Sequence, residues 1–455
     1  MSSSLHCLPG TVVSVKDWPT EHAERNPDVP FLVTPDRTFS YSRVEQMVRR
    51  VAGGLAPRIR PGQLVGVAAS SDVGTVVTML AIPRAGGILV PINARLTRGE
   101  VDDLCDRLGV GLLVGDPAEL DGPPVEPTGA GPDDPYAVVP TSGTTGHPKG
   151  VVLTRRNLTA AADASAAFLN LRRGDRWLCV LPLHHVGGLS ILIRSAHVGG
   201  TVVLEPEFES RRVATLLHEV RFASLVPTML TRILEHAGGP FPGLSTVLVG
   251  GGPLPPGLLD EARAAGIPAV PTYGATETAA QIATGRPGEA TVRPLPSVDL
   301  RIIDQNGVSL ERGTVGEIAV DGPMISPGYR GAQARSGPYR TGDLGILDQE
   351  GNLTVLGRVD DMVVTGGENV YPVEVERVLL AHPAVSDAAV WGADDPRWGA
   401  TLHAAVVVDG IDEDALRVWA RARLAGYKVP KVWHLVDSVA RSAMGKVDRR
   451  ALEGR

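Results

Sequence analysis

Apolar residues recur at helical spacing over residues 44–55, and this pattern predicts an amphipathic helix. Apolar runs at 64–69 and 88–92 are typical of buried strands, and a second helix is predicted between them, at 73–82. Helices that alternate with apolar strands form a mostly parallel, doubly wound sheet. The sequence therefore predicts the α/β class, with a large N-terminal domain of doubly wound sheets and helices on their faces.

Two helix starts carry the pattern of a capping box, in which a serine or threonine stands three residues before a glutamate. Ser42 precedes Glu45 in this way, and Thr97 precedes Glu100. The pattern predicts that Ser42 and Thr97 are the residues at which these two helices begin.

The C-terminal part of the chain has a different pattern. Pro372 suits the first turn of a helix, because proline has no backbone N–H to leave unsatisfied there. Apolar runs at 388–392 and 404–408 predict strands, and residues 412–424 predict a further helix. This part of the sequence predicts a small α+β domain.

Composition and charge narrow the choice of function. A chain of 455 residues is long enough for two or more domains with sizeable cores. Its net charge of −7 argues against a general nucleic-acid-binding surface. Cys7, Cys105 and Cys179 are too widely spaced for a disulfide framework or a Cys-x-x-Cys metal pair. We expect no signal peptide and no membrane-spanning segment, and hence a cytoplasmic protein.

The stretch of residues 141–150 carries the clearest chemistry. It stands between two apolar runs that read as strands, and its glycines allow backbone N–H groups to turn inward. Its side chains add a lysine and four hydroxyls, from Lys149, Thr141, Ser142, Thr144 and Thr145. This set suits a polyphosphate, although the spacing is not that of a P-loop NTPase. An ordinary turn rich in glycine, serine and threonine is the alternative.

These ten residues resemble the phosphate loop of the acyl-adenylate-forming enzymes, which include acyl-CoA synthetases, luciferases and the adenylation domains of peptide synthetases. The resemblance covers essentially the whole chain, with motifs in the expected order from Thr141 to Lys446. It implies an enzyme that uses ATP and Mg²⁺ to activate a small carboxylic acid, with coenzyme A as the co-substrate. It also implies that Ser142, Gly143, Thr144, Thr145 and Lys149 bind phosphate.

Further motifs of this family point to a nucleotide site. The resemblance implies one adenine face at residues 251–253 and stacking of adenine on Tyr273, and it makes Thr276 a partner of the α-phosphate. It implies that Glu277 ligates Mg²⁺, that Asp343 accepts hydrogen bonds from the ribose hydroxyls, and that Arg358 reaches the ribose or a phosphate. The predicted nucleotide-binding residues in these motifs are Gly251, Gly252, Pro253, Tyr273, Gly274, Thr276, Glu277, Asp343 and Arg358. We expect the motif at 273–278 to follow a strand at 267–270, and Asp343 to close a turn.

The acid substrate is expected beside residues 181–194, which join a strand to an apolar helix. His185 matches the family position that borders the acyl pocket, and Gly187 follows two residues later. For the neighbouring His184 a structural role is favoured. Arg194 follows an apolar run, so its charge needs a partner. That partner is either a carboxylate of the protein or a carboxylate of the substrate.

The resemblance also implies a mobile C-terminal domain. It divides the chain into residues 1–359 and 360–455, with a hinge at Asp360 between them. It makes Lys446 the lysine of the adenylation step and assigns Gly366 and Gly367 to the face used in the thioester step. Ala440 stands where the family usually has a proline, which weakens the restraint on the loop of Lys446.

Three classes of function fit these motifs. The favoured class is an ATP-dependent acid–CoA ligase, and within the family the chain most resembles ligases whose aromatic acid carries a second, free carboxylate. Ligases of benzoates or of other aryl and aliphatic acids are the alternatives. The second class is an adenylating enzyme that loads a carrier protein, which the absence of a carrier domain in the chain disfavours. The third is a nucleotide-binding protein without catalysis. A homodimer is an open expectation.

Overall fold

The computed structural model describes residues 17–127, 129–141, 148–440 and 447. The α-helices within these residues are α1 (Trp18–Arg25), α2 (Tyr41–Leu55), α3 (Val73–Arg84), α4 (Arg98–Leu108), α5 (Arg155–Leu169), α6 (Val186–Val198), α7 (Ser210–Leu216), α8 (Pro227–Leu234), α9 (Leu258–Ala264), α10 (Pro372–Leu380) and α11 (Glu413–Arg421). None of these helices combines the length and the apolar character needed to cross a bilayer.

The strands of the larger part of the chain are β1 (Pro30–Val33), β2 (Thr38–Ser40), β3 (Leu64–Ala68), β4 (Ile88–Ile92), β5 (Leu112–Val114), β6 (Pro135–Thr141), β7 (Lys149–Thr154), β8 (Arg176–Cys179), β9 (Thr201–Leu204), β10 (Phe222–Leu225), β11 (Thr246–Val249), β12 (Ala269–Ala275), β13 (Ala280–Thr284), β14 (Arg293–Pro294), β15 (Asp299–Ile303), β16 (Gly316–Asp321), β17 (Gly328–Tyr329), β18 (Tyr339–Leu347) and β19 (Leu353–Arg358). The strands that follow are β20 (Val363–Thr365), β21 (Glu368–Val370), β22 (Val385–Asp395), β23 (Gly399–Val408) and β24 (Val432–Leu435).

Two large sheets carry parallel centres, as the alternation of helices and strands predicts. One has the order β17-β7-β6-β4-β3-β5, and the other has the order β14-β13-β12-β11-β10-β8-β9-β1-β2. In the nine-stranded sheet, β1 and β8 to β12 pair in parallel, whereas β12 to β14 turn back antiparallel. An antiparallel sheet, β15-β16-β18-β19, completes this part of the fold. The predicted α/β class is confirmed.

A separate hydrophobic core lies in the last hundred residues. The sheet β22-β23-β24, the hairpin β20-β21 and helices α10 and α11 enclose buried residues such as Val390, Leu379 and Leu416. All the buried members of this core fall between Val363 and Trp433. The C-terminal part of the chain therefore buries an apolar interior of its own, in agreement with the predicted α+β domain.

The helix starts give one correction. Thr97 caps α4 in a capping box with Glu100, as predicted. Helix α2 begins at Tyr41, and its cap is Ser40, whose hydroxyl accepts a hydrogen bond from the backbone N–H of Arg43. The predicted capping box of Ser42 with Glu45 is therefore wrong. Glu45 points into the protein instead and is only 5% exposed.

Glu45 is engaged by a buried arginine. Arg84 is fully buried and donates hydrogen bonds of 2.8 to 3.0 Å to Glu45 and Asp17, and one of 2.9 Å to Thr20. Helix α1, helix α2 and helix α3 meet at this guanidinium. Arg84 is thus the cation that the two buried carboxylates share.

We expect Arg84→Met to lower the free energy of unfolding by about 3 kcal/mol, because it leaves Asp17 and Glu45 buried beside an apolar side chain. Arg49 also contacts Glu45, at 2.8 Å, and keeps the loss at the lower end of the range for broken buried ion pairs. Urea unfolding measures the change. The matched control is Arg98→Met, which removes an exposed ion pair with Asp102 and is expected to cost less than about 0.5 kcal/mol. Equal losses in the two variants would contradict the structural role of Arg84.

Candidate functional site: a nucleotide site beside a buried arginine

Two antiparallel strands flank the phosphate motif. Thr141 ends β6 and is the register partner of Lys149, which begins β7. The Thr141 hydroxyl donates to the carbonyl oxygen of Lys149 at 3.3 Å. The structure thus brings the two ends of the motif together. The predicted phosphate-binding residues between them, Ser142, Gly143, Thr144 and Thr145, lie outside the described residues.

Tyr329 connects this motif to Glu277. Strand β17 pairs with β7, so Tyr329 lies beside Val151, two residues after Lys149. The Lys149 ammonium is 5.4 Å from the centre of the Tyr329 ring, and the Tyr329 hydroxyl donates to Oε1 of Glu277 at 2.8 Å. Burial and the Glu277 carboxylate raise the pKa of Tyr329 to about 12. The side chain therefore stays protonated and holds the carboxylate by donating a hydrogen bond. Sequence reasoning did not single out Tyr329.

Thr276 and Glu277 lie on a tight turn between β12 and β13. Strand β12 runs on to Ala275, so the expectation that Tyr273 and Gly274 follow a strand ending at 270 is wrong. A Cβ at Gly274 would lie 1.7 Å from the carbonyl oxygen of Ala280. Close packing of the two strands therefore requires glycine at this position, whatever ligand the site binds.

The backbone just after this turn is strained. Ala279 and Ala280 have φ values of 51° and 94°, a region that side chains with a Cβ rarely occupy. The Thr278 hydroxyl braces the turn with hydrogen bonds to the backbone of Ala275 and Ala280 at 2.8 to 3.0 Å. Strain of this kind clusters at functional sites and is held there by its surroundings. The turn presents Thr276 and Glu277 in a fixed, half-buried position.

Tyr273, Asp343 and Arg358 form one hydrogen-bonded set. The Tyr273 hydroxyl donates to Asp343 at 2.7 Å, and Arg358 donates to the other carboxylate oxygen at 2.9 Å. Burial, and next the Asp343 charge, raise the pKa of Tyr273 well above its usual range. Burial lowers the pKa of Arg358, but the Asp343 carboxylate outweighs this and the net shift is upward. Three residues predicted for the nucleotide site are thus in direct contact.

The backbone position of Asp343 differs from the predicted one, in which Asp343 closes a turn. It lies within β18 and is the cross-strand partner of Arg358 on β19. Gly342, with φ of 70°, and a register shift between Leu344 and Gly345 distort the strand on either side of Asp343. The predicted turn is therefore wrong, although the side chain reaches the predicted partners.

The glycine motif at 251–253 emerges beside Tyr273. Strand β11 ends at Val249, while its parallel neighbour β12 continues past that point. A Cβ at Gly250 would lie 2.8 Å from the carbonyl oxygen of Thr272, and Gly251 has φ of 81°. The chain therefore packs closely against the strand of Tyr273 at Gly250, and Gly251, Gly252 and Pro253 come directly after this contact.

The histidine pair begins helix α6. His185 is its N-cap residue, and its ring lies 4.1 Å from the ring of His184. Burial, then the neighbouring His185 and Arg95, lower the pKa of His184 to about 4, so it is neutral at physiological pH. Gly187 is half-buried in the first turn, where Leu181 lies 3.3 Å from the position of an added Cβ. His185 and Gly187 thus share the start of the helix that carries Arg194.

Arg194 is buried without a carboxylate partner among the described residues. It is 4% exposed, and its guanidinium lies 4.5 Å from the centre of the Trp177 ring. Nη2 donates a long hydrogen bond of 3.5 Å to Gln281, and Nε has no partner. Burial lowers the pKa of Arg194 to about 10. The side chain is still charged at neutral pH, and a neutral amide is the acceptor that it meets.

The C-terminal part contributes an exposed turn. Gly366 and Gly367 join β20 to β21 with φ values of 60° and 84°, as a two-residue hairpin requires. The N–H of Gly366 donates to the carbonyl oxygen of Trp398 at 2.8 Å. Trp398 is 40% exposed, and the centre of its ring lies 4.0 Å from the ammonium of Lys431 and 5.0 Å from the guanidinium of Arg397. Trp398 was not recognised from the sequence.

The remaining predicted site residues are Asp360 and Lys446. Asp360 is exposed in the segment between β19 and β20, and its carboxylate is 4.0 Å from Arg358. Lys446 lies outside the described residues. The predicted nucleotide-binding residues therefore come from five separate segments of residues 1–359. The Gly366–Gly367 hairpin belongs to the C-terminal core of residues 363–433.

Comparison with known families identifies the class of protein. Residues 19–123 and 115–330 match the AMP-binding enzyme family, and residues 374–446 match the C-terminal domain of AMP-binding enzymes. The chain belongs to the AMP-binding enzyme family. The predicted membership of the acyl-adenylate-forming enzymes is therefore confirmed.

Individual relatives with a named activity are similar to this chain over almost its whole length. The chain is 35% identical over 473 residues to the 2-succinylbenzoate–CoA ligase of Bacillus licheniformis, with 96% of this chain and 99% of that protein covered. It is 34% identical to the o-succinylbenzoate CoA synthetase (MenE) of Bacillus subtilis in complex with the acyl-adenylate intermediate, with a TM-score of 0.90 and coverage of 96% and 98%. The same enzyme in complex with ATP and magnesium ion superposes with a TM-score of 0.88, again at 34% identity over 96% of this chain and 99% of that one.

These comparisons confirm two further predictions. The predicted enzyme class, an AMP-forming acid–CoA ligase, agrees with the names of the relatives. The predicted use of ATP, Mg²⁺ and CoA agrees with the ATP and magnesium bound in the Bacillus subtilis enzyme and with the CoA in the relatives' names. The chain is thus a ligase that acts on small molecules.

Proposed function

We propose that this enzyme joins o-succinylbenzoate to CoA in menaquinone synthesis, through an acyl-adenylate. The observation that supports this substrate is the environment of Arg194, a buried cation whose hydrogen-bond acceptor is a neutral amide. A monocarboxylic acid would spend its only carboxylate in the reaction and leave this cation uncompensated. An acid with a second carboxylate supplies the missing anion through a charge-assisted hydrogen bond.

In the first half-reaction the acid's succinyl carboxylate attacks the α-phosphate of ATP and pyrophosphate leaves. Catalysis of such a step is mostly positioning and stabilisation of charge. The loop of Thr141 to Lys149 holds the outgoing pyrophosphate, Thr276 donates to the α-phosphate, and Lys446 neutralises the charge that develops there. His185 and Gly187 border the acid.

The nucleoside is held by the set around Asp343. Each Asp343 oxygen already accepts one protein hydrogen bond, from Tyr273 or Arg358, and retains a lone pair for a ribose hydroxyl. Adenine lies between the Tyr273 ring and the backbone of residues 251–253. Because Tyr273 and Arg358 fix the carboxylate before the nucleotide binds, little reorganisation is needed on binding.

Glu277 is suited to hold Mg²⁺. Its carboxylate is half-buried and fixed by Tyr329, and oxygen ligands of this kind are those that Mg²⁺ prefers beside substrate phosphates. When bound there, Mg²⁺ offsets the negative charge of the phosphates. The role of the protein is to hold the Glu277 carboxylate in place through the hydrogen bond from Tyr329.

In the second half-reaction the CoA thiolate attacks the acyl carbonyl and AMP leaves. We propose that residues 360–455 rotate about Asp360 between the two steps, withdrawing Lys446 and bringing in the Gly366–Gly367 hairpin. Two features support this rotation. The core of residues 363–433 is separate from the cores of residues 1–359, and Asp360 lies exposed between them.

Free CoA fits the smaller part better than a carrier protein's phosphopantetheine. Trp398 presents an exposed ring with Lys431 and Arg397 beside it, and its backbone carbonyl accepts a hydrogen bond from the N–H of Gly366. Such a surface suits the adenine ring and the additional phosphates of CoA, whereas the phosphopantetheine of a carrier protein has no adenine and a single phosphate. This arrangement supports CoA as the acceptor.

Pyrophosphate release with a panel of acids tests the substrate. We expect o-succinylbenzoate to give the strongest signal, and Arg194→Ala to lower its kcat/KM by about 10- to 100-fold. The loss should be small for 4-oxo-4-phenylbutanoate, which has the succinyl carboxylate but not the aromatic one. Arg155→Ala is the matched control, because Arg155 is also a buried arginine 5.3 Å from an aromatic ring, that of Tyr136. A preference for a monocarboxylic acid that Arg194→Ala leaves unchanged would discard o-succinylbenzoate as the substrate.

We also propose that the enzyme is cytoplasmic, where ATP and CoA are available, and that it forms a homodimer, the commonest closed assembly of soluble chains. Sedimentation of the purified protein tests the second proposal. A single species at the monomer mass would contradict it.

A further inference from the structure

The amide of Gln281 sits at the centre of a buried polar cluster. Its Oε1 accepts a hydrogen bond of 2.8 Å from the Ser165 hydroxyl on α5 and the bond of 3.5 Å from Arg194 on α6. Its Nε2 donates to the hydroxyl of Thr284, on the same strand β13. Gln281 is 6% exposed, and Ser165 and Thr284 are fully buried. The side chain therefore links two helices to the strand that continues from the Thr276–Glu277 turn.

The hydrogen bonds fix which end of the amide faces the arginine. The Thr284 hydroxyl accepts the Gln281 N–H at one end of the cluster, and it also lies 3.2 Å from the Thr272 hydroxyl. If the amide were reversed, its NH₂ group would face the Arg194 guanidinium, and two donors would meet without an acceptor. The oxygen therefore points at Arg194, and it orients the guanidinium without adding a negative charge.

A carboxylate at the same place would change the electrostatics. Glutamate has the same shape as glutamine, and in a buried cluster it would form an ion pair with Arg194. The guanidinium would then have its counter-ion within the protein and would have little to gain from a carboxylate on the substrate. Since the chain has glutamine here, the charge of Arg194 remains uncompensated within the described residues.

We propose that Gln281 is a positioning residue that sets specificity for acids with two carboxylates. It anchors Arg194 through a neutral oxygen and so keeps the positive charge available for the second carboxylate of the acid. This inference rests on the proposed function, in which that carboxylate belongs to o-succinylbenzoate. It extends the function by identifying the residue that keeps the recognising cation free.

Gln281→Glu is the principal test, measured as KM and kcat for pyrophosphate release. We expect the KM for o-succinylbenzoate to rise by about tenfold or more, because an internal counter-ion competes with the substrate. The kcat at saturation and the KM for ATP should change by less than about threefold. The KM for 4-oxo-4-phenylbutanoate should stay the same or fall. The preference of the enzyme for the second carboxylate should therefore collapse.

Two further variants separate charge from packing. Gln281→Met keeps the volume and the neutrality but removes the acceptor, so we expect only about a two- to fivefold rise in the KM for o-succinylbenzoate, with the preference retained. Gln46→Glu is the matched control: Gln46 also accepts a bond of 3.5 Å from an arginine, Arg43, but on the exposed face of α2. It should leave all kinetic constants unchanged.

A double-mutant cycle tests whether Gln281 acts through Arg194. In an Arg194→Ala background, Gln281→Glu should cause no further loss of preference between the two acids. If Gln281→Glu lowers kcat equally for both acids, or leaves their ratio unchanged while Arg194→Ala alters it, the inference is overturned and Gln281 is merely structural. If the unmodified enzyme fails to activate o-succinylbenzoate at all, the proposed function has failed instead, and the two failures are distinguishable.

Discussion

Replacing Lys446 with alanine is expected to slow acyl-adenylate formation by about 10²- to 10³-fold, because the charge that develops at the α-phosphate then has one preorganised cation fewer. Thioester formation from supplied acyl-adenylate and CoA should change by less than about threefold, since Lys446 is withdrawn in that step. The two half-reactions are measured separately, the first as pyrophosphate release and the second as AMP release from synthetic acyl-adenylate.

A second lysine of the same part of the chain serves as the control. The Lys428 ammonium lies 2.7 and 2.8 Å from the two carboxylate oxygens of Glu374, so its charge already has a partner in the protein. Lys428→Ala should leave the ratio of the two half-reactions unchanged. An equal loss of both half-reactions in Lys446→Ala would contradict its assignment to adenylation and, with it, the rotation about Asp360.

Replacing Glu277 with glutamine is expected to lower kcat/KM for pyrophosphate release by about 10²- to 10³-fold. Glutamine keeps an oxygen that can accept the Tyr329 hydrogen bond, so the turn of residues 276–278 should retain its structure. What is lost is the negative charge that suits Mg²⁺. We therefore also expect half-maximal activity to require a higher Mg²⁺ concentration, which a magnesium titration at fixed ATP measures.

Tyr329→Phe separates the charge of Glu277 from its hydrogen bond. This variant removes the Tyr329 hydroxyl but leaves the Glu277 side chain itself unchanged and keeps an aromatic ring beside Lys149. A loss of about tenfold or less is expected, because only the orientation of the carboxylate is relaxed. If Tyr329→Phe costs as much as Glu277→Gln, the carboxylate serves the packing of the turn and does not hold the metal.

Much of the nucleotide site was predictable because each of its segments has a distinctive local sequence. Tyr273 and Asp343 are 70 residues apart, and both stand beside a glycine in motifs that a single chain rarely contains by chance. Tyr329 could not be found in this way, since a tyrosine after a glycine is common. Its role arises from the pairing of β17 with β7, a contact between residues far apart in the chain.

The errors in the sequence analysis have local physical causes. Ser40 and Ser42 are both good helix caps, and the choice between them depends on Glu45, which the buried Arg84 draws into the core and away from the helix end. The sequence predicts a strand that ends at residue 270 and a turn that closes at Asp343, but Gly274 and Gly342 both lie within strands, where Gly274 allows close packing and Gly342 distorts the strand beside Asp343. A glycine in the sequence indicates an unusual backbone, but it does not distinguish a turn from a distorted or closely packed strand.

Gln281 shows a further limit of sequence reasoning. A glutamine in an apolar strand gives no signal of its own, and its meaning depends on the fact that Arg194, 87 residues away, meets an amide and no carboxylate. The sequence indicates that the charge of Arg194 needs a partner, but it leaves open whether that partner is a carboxylate of the protein or of the substrate. The contacts of the folded chain favour the substrate.

The reaction proposed for the enzyme is the conversion of o-succinylbenzoate to its CoA thioester with cleavage of ATP to AMP. The most direct measurement is a competition in which ATP, Mg²⁺ and CoA are supplied with equal amounts of o-succinylbenzoate, benzoate, malonate and a medium-chain fatty acid, and all products are separated by mass. We expect the thioester of o-succinylbenzoate to be the dominant product, with AMP and pyrophosphate each formed in an amount equal to it. A dominant thioester of another acid, or ADP in place of AMP, would contradict the proposed reaction.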